Sequence, residues 1–182
     1  QGGWDAVIFA VGASPRPLKL PGMAAEADTA ADILTGRGEA GEHPVIFGGG
    51  LVGCELALHL LQQNKRGVIV ERLPDILSAG APLPPMNQQM LRDLLLRHGA
   101  TILTGASVLQ VQGSDVLCQT PEGERWIHGA TALISAVGYQ PRQELYRSYE
   151  RGGLEVYQIG DCRRVRNIMG AIWDAYELAR AL

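Results

Sequence analysis

Lysine is scarce in this chain of 182 residues, where the only two are Lys19 and Lys65. Neither stands in the G-K-[ST] context of a Walker A loop, which excludes that class of nucleotide-binding protein. No tyrosine is followed four residues later by a lysine, which excludes the acid–base pair of the short-chain dehydrogenases. The net charge of −3 is too small, and of the wrong sign, for a protein that coats nucleic acid.

Cysteine is also scarce, and Cys54, Cys118 and Cys162 lie far apart with no C-x-x-C spacing. A disulfide scaffold, a structural zinc site and a redox-active disulfide within this chain are therefore not expected. The four histidines are scattered without ligand spacing, so no metal site is predicted. No apolar run approaches the roughly 18 residues of a membrane span. These features favour a soluble, cytoplasmic α/β protein that binds neither nucleic acid nor membrane.

What the chain does contain is glycine and proline, 23 and 10 residues, placed between short apolar runs. This pattern predicts many short elements with tight connections. We predict strands at 5–11, 45–47, 68–70, 101–103, 106–112, 115–119, 124–128, 132–137 and 156–159, and helices at 29–34, 51–63, 86–98 and 167–182. The glycine-rich run 36–41 is predicted to end the first helix and lead into the next strand. The apolar face of the last helix is expected to point inward, with Ile168, Ile172, Ala175, Leu178 and Ala179 buried.

The central motif is Gly48-x-Gly50-x-x-Gly53, which follows an apolar strand and opens an amphipathic helix. A dinucleotide pyrophosphate binds at a helix N-terminus, where N–H groups lack partners and the helix dipole is positive. Gly48 allows the tight turn, Gly50 the close approach of the anion, and Gly53 the packing of helix against strand. The motif predicts a dinucleotide site in which Leu51 and Val52 supply helix N–H groups.

An acidic residue, Glu71, ends the strand after this helix, 23 residues beyond Gly48. A carboxylate at that point is placed to bind the 2′-hydroxyl of the adenosine ribose, and it would repel a 2′-phosphate. Arg72 leaves the alternative open, because a guanidinium could accept a 2′-phosphate. NAD(H) is the predicted cofactor, with NADP(H) as the alternative.

The segment from Val45 to Glu71 resembles the NAD(P)-binding domain of the pyridine nucleotide-disulfide reductase-like flavoproteins. Three further stretches resemble elements of that superfamily: Ala10-Val11-Gly12, Ser135 to Pro141 with Gly138, and Val156 to Cys162 with Gly160-Asp161. Softer motifs, such as Pro85-Met86-Asn87 and Leu103-Thr104-Gly105, are most similar to the multidomain old-yellow-enzyme-like reductases. That group includes 2,4-dienoyl-CoA reductase, NADH:flavin oxidoreductase and trimethylamine dehydrogenase.

The resemblance implies roles for individual residues. It implies that Asp161 binds the ribityl chain of FAD, and that Gly12, Gly138 and Gly160 are also cofactor-binding residues. It further implies that Glu55 contacts the nicotinamide carboxamide, although a helix-face salt bridge is an equal alternative for this residue. No catalytic residue is expected, because hydride transfer from nicotinamide to flavin needs positioning and exclusion of water rather than a protein nucleophile.

The resemblance also implies an incomplete flavoprotein, because the glycine motif that opens the family's FAD domain is missing. The predicted fold is a Rossmann-like α/β dinucleotide-binding domain with a three-stranded β-meander crossover, flanked by partial FAD-domain segments. The predicted domains are the end of the first FAD half (1–22), the NAD(P)-binding domain (23–138) and the closing FAD segment (139–182). The first residues resemble neither a signal peptide nor a natural initiator, which favours a piece of a longer protein.

The predicted function is the pyridine-nucleotide module of a flavin-dependent NAD(P)H oxidoreductase. Its partners would be the dinucleotide and the rest of the parent flavoenzyme, which would carry FAD and, upstream of this chain, FMN and an iron–sulfur cluster. The final acceptor would be an enoate, a dienoyl compound or a similar activated alkene. Two alternatives remain open: a fragment of a ferredoxin or disulfide reductase, and a non-catalytic NAD(H)-sensing module. An oligomer is also left open.

Overall fold

The computed structural model describes residues 3–150, 152–153 and 155–182. It divides into two compact units. The large unit is Pro15–Gly138, and the small unit combines the residues up to Ser14 with Tyr139–Leu182. No helix among the described residues is long and apolar enough to cross a membrane.

The large unit is built on a five-stranded parallel sheet with the order β3-β10-β4-β5-β6. Its strands are β3 (Asp28–Thr29), β4 (Pro44–Phe47), β5 (Val68–Val70), β6 (Thr101–Leu103) and β10 (Ala132–Ser135). The strands are short and apolar because both faces of the sheet are covered. On the central strand β4, Ile46 faces one apolar cluster, and Val45 and Phe47 face the other.

Helices cover one face of this sheet. They are α1 (Ala30–Leu34), α2 (Leu51–Gln62) and α3 (Pro85–Arg97), and α2 buries Cys54, Leu56 and Leu60. The first helix begins at a capping box between Thr29 and Asp32, as its Thr-x-x-Asp sequence allows. The third is followed by Gly99, whose backbone is left-handed (φ +72°), and the amides of Gly99 and Ala100 donate to the carbonyls of Leu96 and Leu95 in the last turn.

An antiparallel meander covers the other face, with strands β7 (Ser107–Gln112), β8 (Asp115–Thr120) and β9 (Gly123–Ile127). It buries Val111, Val116 and Cys118 against the sheet residues Val45 and Phe47. The predicted α/β fold, with a parallel sheet and a meander crossover, is confirmed.

The small unit pairs β1 (Ala6–Phe9) in parallel with β12 (Glu155–Gln158), and β2 (Ala13–Pro15) with β11 (Tyr139–Pro141). Its helices are α4 (Glu144–Tyr149) and α5 (Ile168–Ala181), and a single 3₁₀ turn spans Gly160–Cys162. The predicted domain boundaries are not tested by this division and stay predictions.

The expected orientation of the last helix is wrong. The buried residues of α5 are Gly170 and Asp174, whereas Ile168 and Ile172 are 80% and 63% exposed, and Ala175 and Ala179 are exposed as well. The side of the helix that carries Asp174 packs against the Gly160 turn, because the carboxylate binds the amide of that turn. A hydrogen-bonded acid therefore sets the orientation of the helix, and the apolar stripe does not.

Candidate functional site

The three glycines of the motif are required for three different reasons. Gly48 has a left-handed backbone (φ +108°), and a Cβ there would lie 2.6 Å from the carbonyl oxygen of Ala136. A Cβ on Gly53 would lie 1.9 Å from the carbonyl oxygen of Gly48, far inside any real contact. Internal packing therefore explains Gly48 and Gly53 without any ligand.

Gly50 is different. Its backbone is extended (φ −70°, ψ −175°), a conformation open to any residue. A Cβ built on it has no atom of the described residues within 4 Å. Neither the backbone nor the packing among the described residues therefore requires a glycine here.

The N-terminus of α2 is open at the same place. Gly50 is the N-cap, and no side chain caps the helix. The first N–H groups of a helix have no acceptor within the helix, which applies to Leu51 and Val52. Such donors, together with the positive end of the dipole of a twelve-residue helix, can hold an anion.

Glu71 lies at the edge of this turn and is only 7% exposed. One carboxylate oxygen accepts the Gly49 N–H at 2.5 Å, and the other accepts the Leu73 N–H at 2.7 Å. The structure thus brings Glu71 to the glycine turn, as its position after β5 predicts. It also shows that the carboxylate has backbone partners within the chain, which the sequence does not reveal.

The two other charged candidates are open to solvent. Arg72 follows Glu71 and is exposed. Glu55 is exposed in the first half of α2, and none of the ion pairs among the described residues involves it. The helix-face salt bridge considered for Glu55 is therefore absent from the described part of the chain.

The remaining predicted cofactor-binding residues lie in turns that follow strands. Gly138 follows β10 in the large unit with φ +97°, and its carbonyl accepts the Arg16 N–H at 2.9 Å. In the small unit, Gly12 (φ +70°) follows β1 and Gly160 (φ +66°) follows β12. Because β1 and β12 are parallel neighbours, Gly12 and the Gly160-Asp161 turn lie at the same edge of their sheet.

The Gly160 turn is held by Asp174, which is only 5% exposed. Its carboxylate accepts the Gly160 N–H at 3.0 Å and forms ion pairs with Arg163 and Arg166. Burial alone would raise the pKa of Asp174, but the hydrogen bonds from Arg166 and Gly160 and the two arginine charges outweigh burial and lower it. Sequence reasoning missed this residue, and the only available signal was an acid within an apolar helix.

Asp161 accepts the backbone N–H of Arg166 at 3.0 Å with one carboxylate oxygen and is half-buried. The other oxygen can accept from a ligand hydroxyl. The next helix, however, is capped by its own Asn167, whose side chain accepts the Gly170 N–H. The Asp161 carboxylate thus keeps one oxygen that can accept from a ligand, whereas one N–H group of the next helix is already bound by the cap residue.

All three cysteines are buried and free. The Cys54 thiol donates to the carbonyl of Gly49 at 3.3 Å, and burial raises its pKa to about 12. Burial also raises the pKa of Cys118. Since the thiolate is the reactive form, Cys54 packs and donates in this structure and has no nucleophilic character.

Comparison with known proteins shows the family of the chain. A family model described as pyridine nucleotide-disulphide oxidoreductase matches residues 2–167. The chain is 39% identical over 178 residues to cinnamate reductase from Clostridium sporogenes, covering 98% of this chain and 26% of the relative. It is 30% identical over 181 residues to an NADH oxidase from Thermoanaerobacter brockii, covering 96% of this chain and 27% of the relative.

Solved structures show the same fold. A 2-naphthoyl-CoA reductase complex superposes with a TM-score of 0.86 at 24% identity, over 98% of this chain and 27% of that one. A ferredoxin reductase from Rhodopseudomonas palustris gives 0.72 at 19% identity, over 98% and 52%. The chain spans about a quarter of the length of the curated relatives named above.

Proposed function

The chain belongs to the pyridine nucleotide-disulphide oxidoreductase family, and we propose that its large unit binds NADH for a flavin-dependent oxidoreductase. The observation that carries the proposal is Gly50, whose missing side chain leaves space that no described residue uses. The uncapped N-terminus of α2 borders that space and suits a dianion.

In this proposal the pyrophosphate lies over Gly48, Gly50 and Gly53 and accepts the N–H groups of Leu51 and Val52. A side chain on Gly50 would occupy the same volume. Neutral N–H donors and a helix dipole hold the anion without a lysine, which agrees with the scarcity of lysine in the chain.

Glu71 is proposed to accept a hydroxyl of the adenosine ribose with carboxylate lone pairs that its two backbone donors leave free. A 2′-phosphate at that position would bring like charges together, so NADH is preferred. The exposed Arg72 is the residue that would reduce this preference.

Glu55 and Gly138 are proposed to border the nicotinamide half of the cofactor. Glu55 is solvent-exposed and free of the ion pairs described, which leaves its carboxylate available to a carboxamide N–H. When bound, a reduced nicotinamide supplies a hydride that a flavin can accept. The contribution of this chain is to bind and orient, because no described residue near the turn has the character of a nucleophile.

In the parent protein, we place FAD against the Gly12 and Gly160 turns, with Asp161 accepting a ribityl hydroxyl. The pyrophosphate of FAD is proposed to bind in another part of that protein, because the glycine motif that opens the family's FAD domain is missing from this chain. FMN and an iron–sulfur cluster outside this chain are proposed as the next electron carriers. An activated alkene is proposed as the acceptor, in line with the names of the cinnamate and 2-naphthoyl-CoA reductases.

The test is calorimetric titration of the chain with ADP-ribose and NADH, using Gly50→Ser as the variant. Serine is a favourable N-cap, so the helix should keep its stability while the side chain fills the cradle. We expect affinity to fall by at least about 100-fold, which corresponds to about 2.7 kcal/mol of binding free energy. Asn167→Ser, an N-cap change in the other unit, is the control and should bind normally. Unchanged binding by Gly50→Ser would refute the proposal.

The ribose assignment is tested by Glu71→Ala with NADH and NADPH. The wild type should prefer NADH, and the variant should lose that preference. If the two affinities are equal in the wild type and unaffected by the substitution, Glu71 does not read the ribose.

A further inference from the structure

Gly49, in the middle of the glycine turn, has both its N–H and its carbonyl hydrogen-bonded within the chain. Its N–H is bound by Glu71, and its carbonyl accepts the Leu77 N–H at 2.7 Å and the Cys54 thiol at 3.3 Å. A Cβ on Gly49 would lie 2.8 Å from Cγ2 of Ile76 and 3.0 Å from Cβ of Glu71. The segment after β5 is therefore pressed against this peptide, which explains why the middle residue of the turn is also glycine.

Leu77 makes this contact from a strained backbone. It is buried, and its φ of +59° is in the left-handed region, which costs a residue with a Cβ about 1–2 kcal/mol. Such strain persists only where the surroundings impose it, and it is frequent at binding sites. With φ at this value, the Leu77 N–H reaches the Gly49 carbonyl while its own carbonyl accepts the side-chain amide of Gln88 on α3 at 3.2 Å.

The surroundings that impose the strain come from α3 as well. The guanidinium of Arg92 donates to both carboxylate oxygens of Asp75, at 2.7 and 2.8 Å, and to the carbonyl of Ile76 at 2.6 Å. A bidentate guanidinium–carboxylate pair fixes orientation as well as distance. Arg92 thereby holds the two residues that precede Leu77.

We infer that Arg92 is a positioning residue of the dinucleotide site, acting through a brace formed by Asp75, Ile76 and Leu77 on the Gly49 peptide. The inference rests on the proposed function only where it concerns affinity. By fixing the plane of the peptide group that joins Gly49 to Gly50, the brace directs Gly50 and the first N–H groups of α2 toward the anion. Arg92 itself donates to Asp75 and Ile76 and has no role in contacting the ligand.

The experiment compares Arg92→Gln with Arg97→Gln in the full chain, with ADP-ribose as the probe. Arg97 is an exposed arginine in the last turn of the same helix, so the change in charge and in helix propensity is matched. We expect Arg92→Gln to weaken binding about tenfold and Arg97→Gln to stay within about twofold. Arg92→Lys keeps the charge without the bidentate geometry and should fall between them.

A second readout separates positioning from general destabilisation. The Gly49 amide, followed by ¹⁵N NMR and hydrogen exchange, should shift and exchange faster in Arg92→Gln, while the central sheet amides Ile46 and Ile69 stay protected. Asp75→Asn, a change at an exposed side chain, provides a milder variant if Arg92→Gln does not fold. The effects of Asp75→Asn and Arg92→Gln on binding should be non-additive, since both act through one contact.

The outcomes are distinguishable. An unchanged Gly49 amide in a folded Arg92→Gln variant, or equal losses of affinity in Arg92→Gln and Arg97→Gln, overturns the brace. A wild type that does not bind ADP-ribose overturns the proposed function, whereas a perturbed Gly49 amide in the variant would still support the brace.

Discussion

The turn at Gly48–Gly50 in the large unit and the turn at Gly160–Cys162 in the small unit share several features. Each follows a parallel strand and contains a glycine with positive φ. In each, a buried carboxylate accepts an amide of the turn: Glu71 that of Gly49, and Asp174 that of Gly160. A buried cysteine also donates to a nearby carbonyl at each place: Cys162 within the second turn, and Cys54 in the first turn of α2.

The two turns differ in the helix that follows. After the first turn, α2 begins at once with a bare N-cap glycine and no side-chain cap. After the second, α5 begins only at Ile168, and Asn167 caps it. The two helix N-termini therefore differ in one respect: among the described residues no side chain accepts an N–H group of α2, whereas Asn167 accepts one at α5. In our proposal, this missing cap is what leaves the first N–H groups of α2 available to an anion.

The largest expected difference in stability concerns the third residue of each helix, which is a glycine in both α2 and α5. Gly53→Ala places a methyl group against the Gly48 carbonyl and should lower the free energy of unfolding by about 3 kcal/mol. Gly170→Ala meets mainly the Arg166 side chain, at 3.0 Å or more, and should change it by less than about 1 kcal/mol. Urea denaturation of both variants measures the difference. Equal destabilisation would mean that Gly53 is not specially constrained.

The second prediction concerns how the stabilising effect of Asp174 depends on pH. The pKa of Asp174 is lowered from its ordinary 3.8 in the folded chain, so its contribution to stability is present above that value and is lost as the pH falls through the lowered pKa. We expect Asp174→Asn to cost about 2 kcal/mol at pH 7 and progressively less below about pH 4. Unfolding midpoints between pH 2 and pH 7 test this. A cost that does not change with pH would contradict the role of the arginine pairs.

The smallest effect is expected at the cysteines. Removing the thiol in Cys54→Ala or Cys162→Ala should cost about 1 kcal/mol each, because each loses a weak donor and a small buried volume. In the native wild type, with the pKa of Cys54 near 12, iodoacetamide at pH 8 should leave Cys54 unmodified until the chain unfolds. Mass spectrometry after brief labelling detects the modification, and rapid labelling of Cys54 in the native chain would contradict this prediction.

The sequence predicts the large unit well because its signals are local. Strand β4, the glycine turn and α2 follow one another within 20 residues, and apolar periodicity, glycine spacing and caps are all read over that distance. The run Gly36–Gly41 repeats the same glycine spacing, yet it follows α1 and leads toward β4, so spacing without the strand–helix context does not mark a site.

The sequence does not predict contacts that depend on tertiary packing. Arg92 and Asp75 are 17 residues apart, and no local pattern pairs them. The exposed face of α5 was missed for a similar reason, because a hydrophobic pattern cannot show that a buried acid such as Asp174 will orient the helix. The strained backbone of Leu77 also has no sequence signature, since leucine is not a residue that favours positive φ.

The most direct test of the account is a ¹⁵N NMR titration of the wild-type chain with ADP-ribose. If α2 holds a pyrophosphate, the amides of Gly50, Leu51 and Val52 should move strongly and saturably, and those of Gly160 and Asp161 should not. Saturable shifts at Gly160 and Asp161 with an unmoved Leu51 would show that the anion binds at the other turn, and the central claim would be wrong.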